Sequence, residues 1–190
     1  MEKHPSRDTG GFSLIEVLII IAVIGVLTAF AVLQMGNALP AYRANAAMDQ
    51  VVAQLRMARQ TAIADRRNVR VIFNAPNGIQ TQRLEIGGAV TPLTNVVFEG
   101  YAVFTLLGHP DTPDAFGNGA PIVFAGLGGG PGVMAFTSTG AFIDAATGDP
   151  INGTVFLGIA NQPMTARAVS VLGATGRVRP YRWIKNGWVQ

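Results

Sequence analysis

The chain has 190 residues, of which 49% are apolar and only 13% are charged, and its formal net charge is +3. It contains no cysteine, which excludes disulfides, thiol catalysis and cysteine-ligated metal sites. A positive excess this small does not by itself indicate a nucleic-acid-binding protein.

The N-terminus combines a short polar segment with a long apolar run. The first eleven residues are polar and include Lys3 and Arg7. The apolar run from Phe12 to Leu33 has 22 residues, and a helix of that length covers about 33 Å, enough to cross a bilayer core. The basic residues before it fit a cytoplasmic start under the positive-inside rule. We therefore predict a transmembrane helix over residues 12–34.

Glu16 is the charged residue within this run. A carboxylate inside a membrane costs about 3 kcal/mol on insertion scales, so it should have a partner. If the chain is cleaved between Gly11 and Phe12, the new α-amine of Phe12 lies about one helical turn from Glu16. The amine of a neighbouring subunit would serve equally well.

The segment G-F-S-L-I-E, followed by the long apolar helix, resembles the class III signal of type IV pilins and type II secretion pseudopilins. The resemblance implies that residues 1–11 are a leader, that a prepilin peptidase cleaves after Gly11, and that the amine of Phe12 is then methylated. It also implies that Glu16 aids docking of the subunit among other pilins or pseudopilins of a fibre. The expected location is the bacterial inner membrane as a single-pass chain with its C-terminal domain in the periplasm, and later a pilus or pseudopilus.

Two alternatives remain for the same segment. The sequence A-F-A at 29–31 resembles the cleavage site of a secretory signal peptide, and an apolar run alone is also compatible with a plain membrane anchor. The run is longer than the usual apolar core of a signal peptide. Such a core also has no use for Glu16.

After Pro40 the apolar residues recur at helical spacing and form one stripe. They are Ala44, Ala47, Met48, Val51, Val52, Leu55, Ala58, Ala62 and Ile63. We predict one long helix from about Phe12 to Arg66, in which residues 35–67 are amphipathic and continue into the globular domain. Pro40 removes one backbone hydrogen bond, so a kink or local melting is expected there.

Residues 68–190 show the short apolar runs and the Gly/Pro-rich turns of a β-rich domain. The predicted strands are Val69–Phe73, Arg83–Ile86, Val96–Phe98, Ala102–Leu106, Ile122–Ala125, Val133–Phe136, Val155–Ala160, Ala168–Leu172 and Arg177–Ile184. Residues 108–119 and the glycine-rich stretch 126–132 are predicted loops, and residues 136–142 a hairpin. The expected fold is α+β, with the long helix packed on an antiparallel sheet.

The C-terminal region narrows the resemblance. Three segments resemble the GspH/FimT branch of minor pilins and pseudopilins. They are F-T-S-T-G at 136–140, A-V-S-V-L-G-A-T-G-R-V-R at 168–179, and residues 58–71, which resemble the junction between the helix and the first strand in that branch. In the FimT type, the G-R-x-R motif is associated with DNA capture during natural transformation. This makes Arg177 and Arg179 candidate DNA-binding residues.

Strand geometry places Arg177 and Arg179 on one face, with Val178 on the opposite one. The basic and aromatic residues that follow suit single-stranded nucleic acid, because bases stack on rings while cations track the phosphates; these residues are Arg182, Trp183, Lys185 and Trp188. The alternative is that exposed arginines protect an edge strand from mispairing, which Pro180 supports.

No catalytic residue, cofactor or metal site is predicted. The two histidines are His4 and His109, and no nucleophile elbow or paired carboxylates accompany them. The aspartates that could suggest calcium are too sparse for its six to eight oxygen ligands and are predicted to lie in turns; they are Asp111, Asp114, Asp144 and Asp149. The expected function is structural rather than enzymatic, and DNA binding by a minor pilin is the alternative.

Overall fold

The computed structural model describes residues 12–124 and 134–190, which fall into two units, one ending at Leu39 and the other covering Pro40–Gln190. Within these described ranges there is one α-helix, α1, which covers Leu14–Asp65. The strands are β1 Val69–Asn74, β2 Gly78–Leu84, β3 Val90–Val97, β4 Ala102–Phe104, β5 Ile122–Phe124, β6 Met134–Phe136, β7 Phe142–Asp144, β8 Gly153–Ile159, β9 Arg167–Leu172, β10 Arg177–Ile184 and β11 Gly187–Val189. The predicted leader and the glycine-rich stretch 126–132 lie outside the described residues.

The first part of α1 has the length and composition of a membrane span. Residues Leu14–Val32 have a mean hydropathy of 2.8, and none of this stretch is buried within the described structure. The helix is assigned as continuous through Pro40. The predicted long helix is therefore confirmed. The local melting expected at Pro40 is not observed, because α1 continues through this residue.

The second part of α1 carries the core-facing stripe. Eight of the nine predicted stripe residues are buried, from Ala44 to Ala62. The prediction is wrong for Ile63, which is 42% exposed. Its side chain lies at the rim of the stripe, against the turn at Gly140.

The strands form two antiparallel sheets rather than the single predicted sheet. Sheet A has the order β3-β2-β1-β6-β7, and sheet B has the order β11-β10-β9-β8-β4, with β5 also paired to β8. The α+β class is confirmed. Strands β4 and β5 join sheet B by pairing with β8, some fifty and thirty residues further along the chain.

Several strand positions differ from those predicted. The predicted strand Arg83–Ile86 is wrong, because β2 is Gly78–Leu84 and Ile86 lies 79% exposed beyond it. Strand β3 begins at Val90, earlier than expected. Its polar side chains find hydrogen-bond partners on the neighbouring strand, as in the 2.7 Å hydrogen bond between the hydroxyls of Thr81 and Thr94. Strand β11 was not predicted.

One core joins α1 to both sheets. Phenylalanine rings of the two sheets are in contact, with centroid distances of 6.0 Å between Phe73 and Phe124 and 5.5 Å between Phe124 and Phe142. Met48 and Leu55 of α1 belong to the same buried cluster. Burial of the apolar side chains of this cluster contributes most of the favourable free energy of folding.

Candidate functional site

The predicted processing segment lies at the start of α1. Phe12 is 77% exposed, and the backbone N–H groups of Glu16 and Val17 donate to the carbonyl of Ser13 at 3.0 and 3.2 Å. Glu16 thus occupies the first helical turn, where a carboxylate is favoured by the partial positive charge of the free N–H groups. None of the three ion pairs of the described residues involves Glu16. Gly11, the other half of the predicted cleavage site, lies outside the described residues.

The predicted arginine pair lies on a strand with one open side. Strand β10 pairs with β9 along Arg177–Arg182, whereas β11 pairs only with Arg182–Ile184. The N–H of Trp183 donates to Ala166 on the β9 side at 3.1 Å. Alternation along the strand therefore turns Pro180 towards the open side, where its missing N–H interrupts no ladder. The predicted edge is therefore confirmed for the first part of β10, as far as Tyr181, whereas β11 covers the end of the strand.

The two arginines differ in what surrounds them. Arg177 is exposed and Val178 is buried, as the predicted alternation requires. Arg179 is half-buried, and its Nη1 donates to Asp114 Oδ1 at 2.5 Å. Its Nε is buried and has no hydrogen-bond acceptor within the described part of the chain. Arg179 is therefore already paired with a carboxylate, which the sequence did not indicate.

Two further arginines face the same open space. A cleft of about 720 Å³ is lined by Arg56 and Arg59 of α1 together with the β9–β10 turn, Arg177 and Arg179. Arg56 and Arg59 are three residues apart and so share one face of the helix. None of the lining residues is acidic. We call this space the arginine cleft, and its arrangement suits an extended or multivalent anion.

Gly176 brings the β9–β10 turn close to the helix and to the β6–β7 turn. Its φ is +61°, and a Cβ atom at this position would collide with the carbonyl oxygen of Gly140 and lie 3.0 Å from Arg59 Nε. The Nε of Arg59 in turn donates to the Gly140 carbonyl at 3.1 Å. Only glycine fits here without strain, so the close approach sets one wall of the arginine cleft.

Asp114 links the loop between β4 and β5 to sheet B. Its side chain is 11% exposed, and its carboxylate accepts hydrogen bonds from Ser170 Oγ, from Tyr181 OH at 2.9 Å and from Arg179. Burial by itself would raise the pKa of Asp114, but the bonds from Ser170 and Tyr181 and the charge of Arg179 outweigh it and lower the pKa below its usual value. Asp114 lies in a turn as predicted, but its carboxylate also anchors the loop.

The aromatic residues near the C-terminus are engaged with the chain itself. The ring of His109 stacks on Trp183 with centroids 4.0 Å apart, and Trp188 Nε1 donates to the Pro110 carbonyl at 2.8 Å. The Nε2 of His109 lies 2.9 Å from the Pro163 carbonyl. These contacts fasten the loop after β4, so the predicted stacking surface for bases is partly covered.

Sequence reasoning placed Arg177, Arg179 and Glu16 correctly on their elements but missed Arg56, Arg59 and Asp114 as parts of the site. The spacing of Arg56 and Arg59 along the polar face of α1 was the available signal. Two of the other predicted aspartates satisfy local backbone groups: Asp111 accepts from Thr112 and Gly117, and Asp144 from Ala146.

Comparison with known families and proteins gives a match at the N-terminus and several similar proteins. Residues 6–32 match the family model described as the prokaryotic N-terminal methylation motif. The type IV major fimbrial protein FimA of Dichelobacter nodosus is 32% identical over 101 residues, which are 53% of this chain and 53% of that protein. The chain thus spans about half the length of the curated relatives it matches.

Two solved structures are similar. The type IV minor pilin FimU of Pseudomonas aeruginosa has a TM-score of 0.49 at 14% identity, covering 77% of this chain and 97% of that one. The minor pseudopilin EpsH of the type 2 secretion system of Vibrio cholerae has a TM-score of 0.46 at 13% identity, covering 73% and 94%.

Proposed function

Because residues 6–32 carry the N-terminal methylation motif of type IV prepilins, we propose that this chain is a minor pilin or pseudopilin, a structural subunit of a type IV pilus or a type II secretion pseudopilus. The observation that carries the proposal is the register of the motif with the exposed apolar helix Leu14–Val32. Cleavage after Gly11 leaves that helix at the new N-terminus, with the domain Pro40–Gln190 following it.

The same apolar surface has two successive roles in this proposal. Before assembly it spans the inner membrane, where lipid tails cover its side chains. After extraction from the membrane it packs against the corresponding helices of other pilins or pseudopilins, because an apolar helix left in water would be strongly unfavourable. The domain Pro40–Gln190 lies in the periplasm before assembly and in the pilus or pseudopilus after it.

Glu16 gives this packing its register. Its carboxylate lies in the first helical turn, one turn from the amine that a prepilin peptidase would create at Phe12. Pairing with that amine, in the same subunit or in a neighbour, offsets the cost of burying the charge in an apolar surrounding. A subunit without the carboxylate would insert in the membrane but dock poorly.

Intact-mass analysis of the membrane-extracted protein tests the processing step. The expected mass is that of a chain beginning at Phe12 plus one methyl group. Gly11→Val should leave the leader attached, whereas the matched change Gly10→Val should still be cleaved. A wild-type product that begins at Met1, or after Ala31, would refute the prepilin proposal.

A second candidate function is DNA binding in the manner of a FimT-like minor pilin, and the arginine cleft is the observation that favours it. Its four arginines are gathered without an acidic residue in the lining, as phosphate contacts require. Against it stand the ion pair of Arg179 with Asp114 and the internal stacking of Trp183. We therefore rank it below the structural role.

Oligonucleotide binding over a range of salt concentrations separates the two functions. If the cleft holds phosphates, replacing Arg177 and Arg179 by alanine should weaken binding and flatten the salt slope by about two units. Replacing Arg43 and Arg66, which lie outside the cleft, removes the same charge and serves as the control. Wild-type binding no stronger than that of a neutral protein, or an equal loss in both double variants, would exclude the cleft as a DNA site.

A further inference from the structure

The unit Pro40–Gln190 has an exposed surface at the end where α1 begins its part of the unit, next to Pro40. A cleft of about 570 Å³ lies at this end, between α1 and sheet B. Its lining includes Pro40 and Arg43 of α1, Tyr101 just before β4, Ile159 at the end of β8 and Gln162 in the connection after it. The connection after β8 is held there by Arg167, whose Nε donates to Asn45 Oδ1 at 2.7 Å. We call this surface, comprising Tyr42, Arg43, Tyr101 and Met164, the proximal face.

Large apolar side chains of the proximal face are exposed. Tyr101 is 80% exposed, Tyr42 69% and Met164 59%. The turn that carries Tyr101 is pressed onto α1, since a Cβ atom on Gly100 would lie 2.8 Å from Arg43 Cδ. Tyr101 itself has a φ of +68°, which is unfavourable for a bulky residue. The fold thus holds this ring away from the core.

Basic residues outnumber acidic ones at the same end of the unit. Arg43 and Glu99 lie together beside Gly100. Arg182 is the register partner of Arg167, which contacts α1 at Asn45, so the end of β10 with Arg182 and Lys185 lies at this end of sheet B as well. Tyrosine combined with arginine and lysine is the residue composition of membrane–water interfaces.

The chain keeps this face near a membrane if α1 is anchored in one. The candidate span ends at Val32, eight residues before Pro40, and even a fully extended chain of that length covers only about 29 Å. The β2–β3 turn with Ile86 lies at the other end of the unit, because Leu84 donates to Asn68 just beyond the end of α1. The 26 helical residues from Pro40 to Asp65 separate the two ends by about 39 Å.

We propose that the proximal face docks on the headgroup layer of the membrane, with Tyr42 and Tyr101 between the headgroups and Arg43, Arg182 and Lys185 paired with anionic phospholipids. The inference rests on the membrane anchorage proposed above and adds a second membrane contact, made by the folded domain itself. Such a contact orients the domain before the subunit is extracted into a fibre.

Fluorescence quenching with the full chain in nanodiscs tests this contact. The chain has no native cysteine, so single variants Leu18→Cys, Gln162→Cys and Ile86→Cys each carry one environment-sensitive dye. Spin labels on the lipid tails should quench the dye at 18, which reports anchorage. Headgroup spin labels should remove at least half the emission at 162 and leave that at 86 unchanged, and the loss at 162 should be larger with phosphatidylglycerol than with phosphatidylcholine alone.

Removing the tyrosine rings distinguishes docking from mere proximity. Tyr42→Ser with Tyr101→Ser should abolish most of the quenching at 162, whereas Ile86→Ser with Val90→Ser, which removes exposed apolar groups from the opposite end, should not. Quenching at 162 that persists without the tyrosines, or equal quenching at 162 and 86, would overturn the proposal. Quenching at 18 without quenching at 162 would reject the docking while leaving the anchorage intact; absence of both would refute the anchorage too.

Discussion

Asp114→Asn tests whether one carboxylate fastens the β4–β5 loop to sheet B. The carboxylate accepts hydrogen bonds from Ser170, Tyr181 and Arg179. An amide of the same shape keeps one acceptor oxygen, presents an N–H₂ group to the other donors and loses the charge that Arg179 faces. A hydrogen bond to a charged group contributes about 1.5–3 kcal/mol, so we expect a loss of about 2–3 kcal/mol in the free energy of unfolding.

Thermal unfolding followed by circular dichroism measures this loss. For a unit the size of Pro40–Gln190, it corresponds to a decrease of about 4–12 °C in Tm. Asp149→Asn removes the same charge from an exposed side chain and should change stability by under about 0.5 kcal/mol.

The pH dependence of the stability difference between wild type and Asp114→Asn tests the role of the carboxylate more sharply. The folded state lowers the pKa of Asp114, so its contribution is fully present above the unfolded value of about 3.9 and is lost as the pH falls through the lowered folded value. The difference between wild type and Asp114→Asn should therefore be constant from about pH 7 to pH 5 and shrink below about pH 4. A difference that is absent at pH 7, or that stays the same down to the lowest pH at which both proteins fold, would refute the proposed role of the carboxylate.

Three further outcomes are expected. A protein lacking residues 1–39 should be soluble and folded by circular dichroism and limited proteolysis, because the buried cluster of α1 and both sheets lies wholly within Pro40–Gln190. Glu16→Ala should insert and be cleaved but incorporate poorly into fibres isolated from cells, because the charge that pairs with the new amine is gone. Gly176→Ala should lower the free energy of unfolding by about 2 kcal/mol or more in chemical denaturation, because the left-handed backbone strains any Cβ and this one meets the Gly140 carbonyl.

Each of these outcomes can be contradicted, and each of the two substitutions has a matched control variant. An unfolded fragment would contradict the independence of the second unit. Thr28→Ala removes the hydroxyl that bonds only the Ile24 carbonyl within the span and should assemble normally; equal assembly of the Glu16 variant would argue against the pairing. Gly88→Ala has a similar positive φ of +89° but open space around the added Cβ, so a loss as large as that of Gly176→Ala would show that the collision with Gly140 contributes nothing.

Features that depend on nearby residues were readable from the sequence. The apolar run with its isolated Glu16 predicts the first part of the long helix. The spacing of Ala44 to Ala62 predicts the buried stripe, because positions on one face of a helix recur every three to four residues. Pro180 predicts the open side of β10, since a residue without an N–H is tolerated only where no partner strand needs it. The alternation of Arg177, Val178 and Arg179 follows from the two-residue period of a strand.

Features that depend on contacts between distant segments were decided by the tertiary structure alone. Asp114 meets Arg179 across 65 residues of sequence, and Arg59 meets Gly140 across 81. The strands divide into two sheets, in which β1 pairs with β6 and β4 and β5 pair with β8, and no local pattern specifies which strands pair. The arginine cleft exists because α1 and β10 pack on the same core, which brings Arg56 and Arg59 beside Arg177. A side chain's type and period are local properties of the chain, whereas its partner is chosen by the packing of the whole domain.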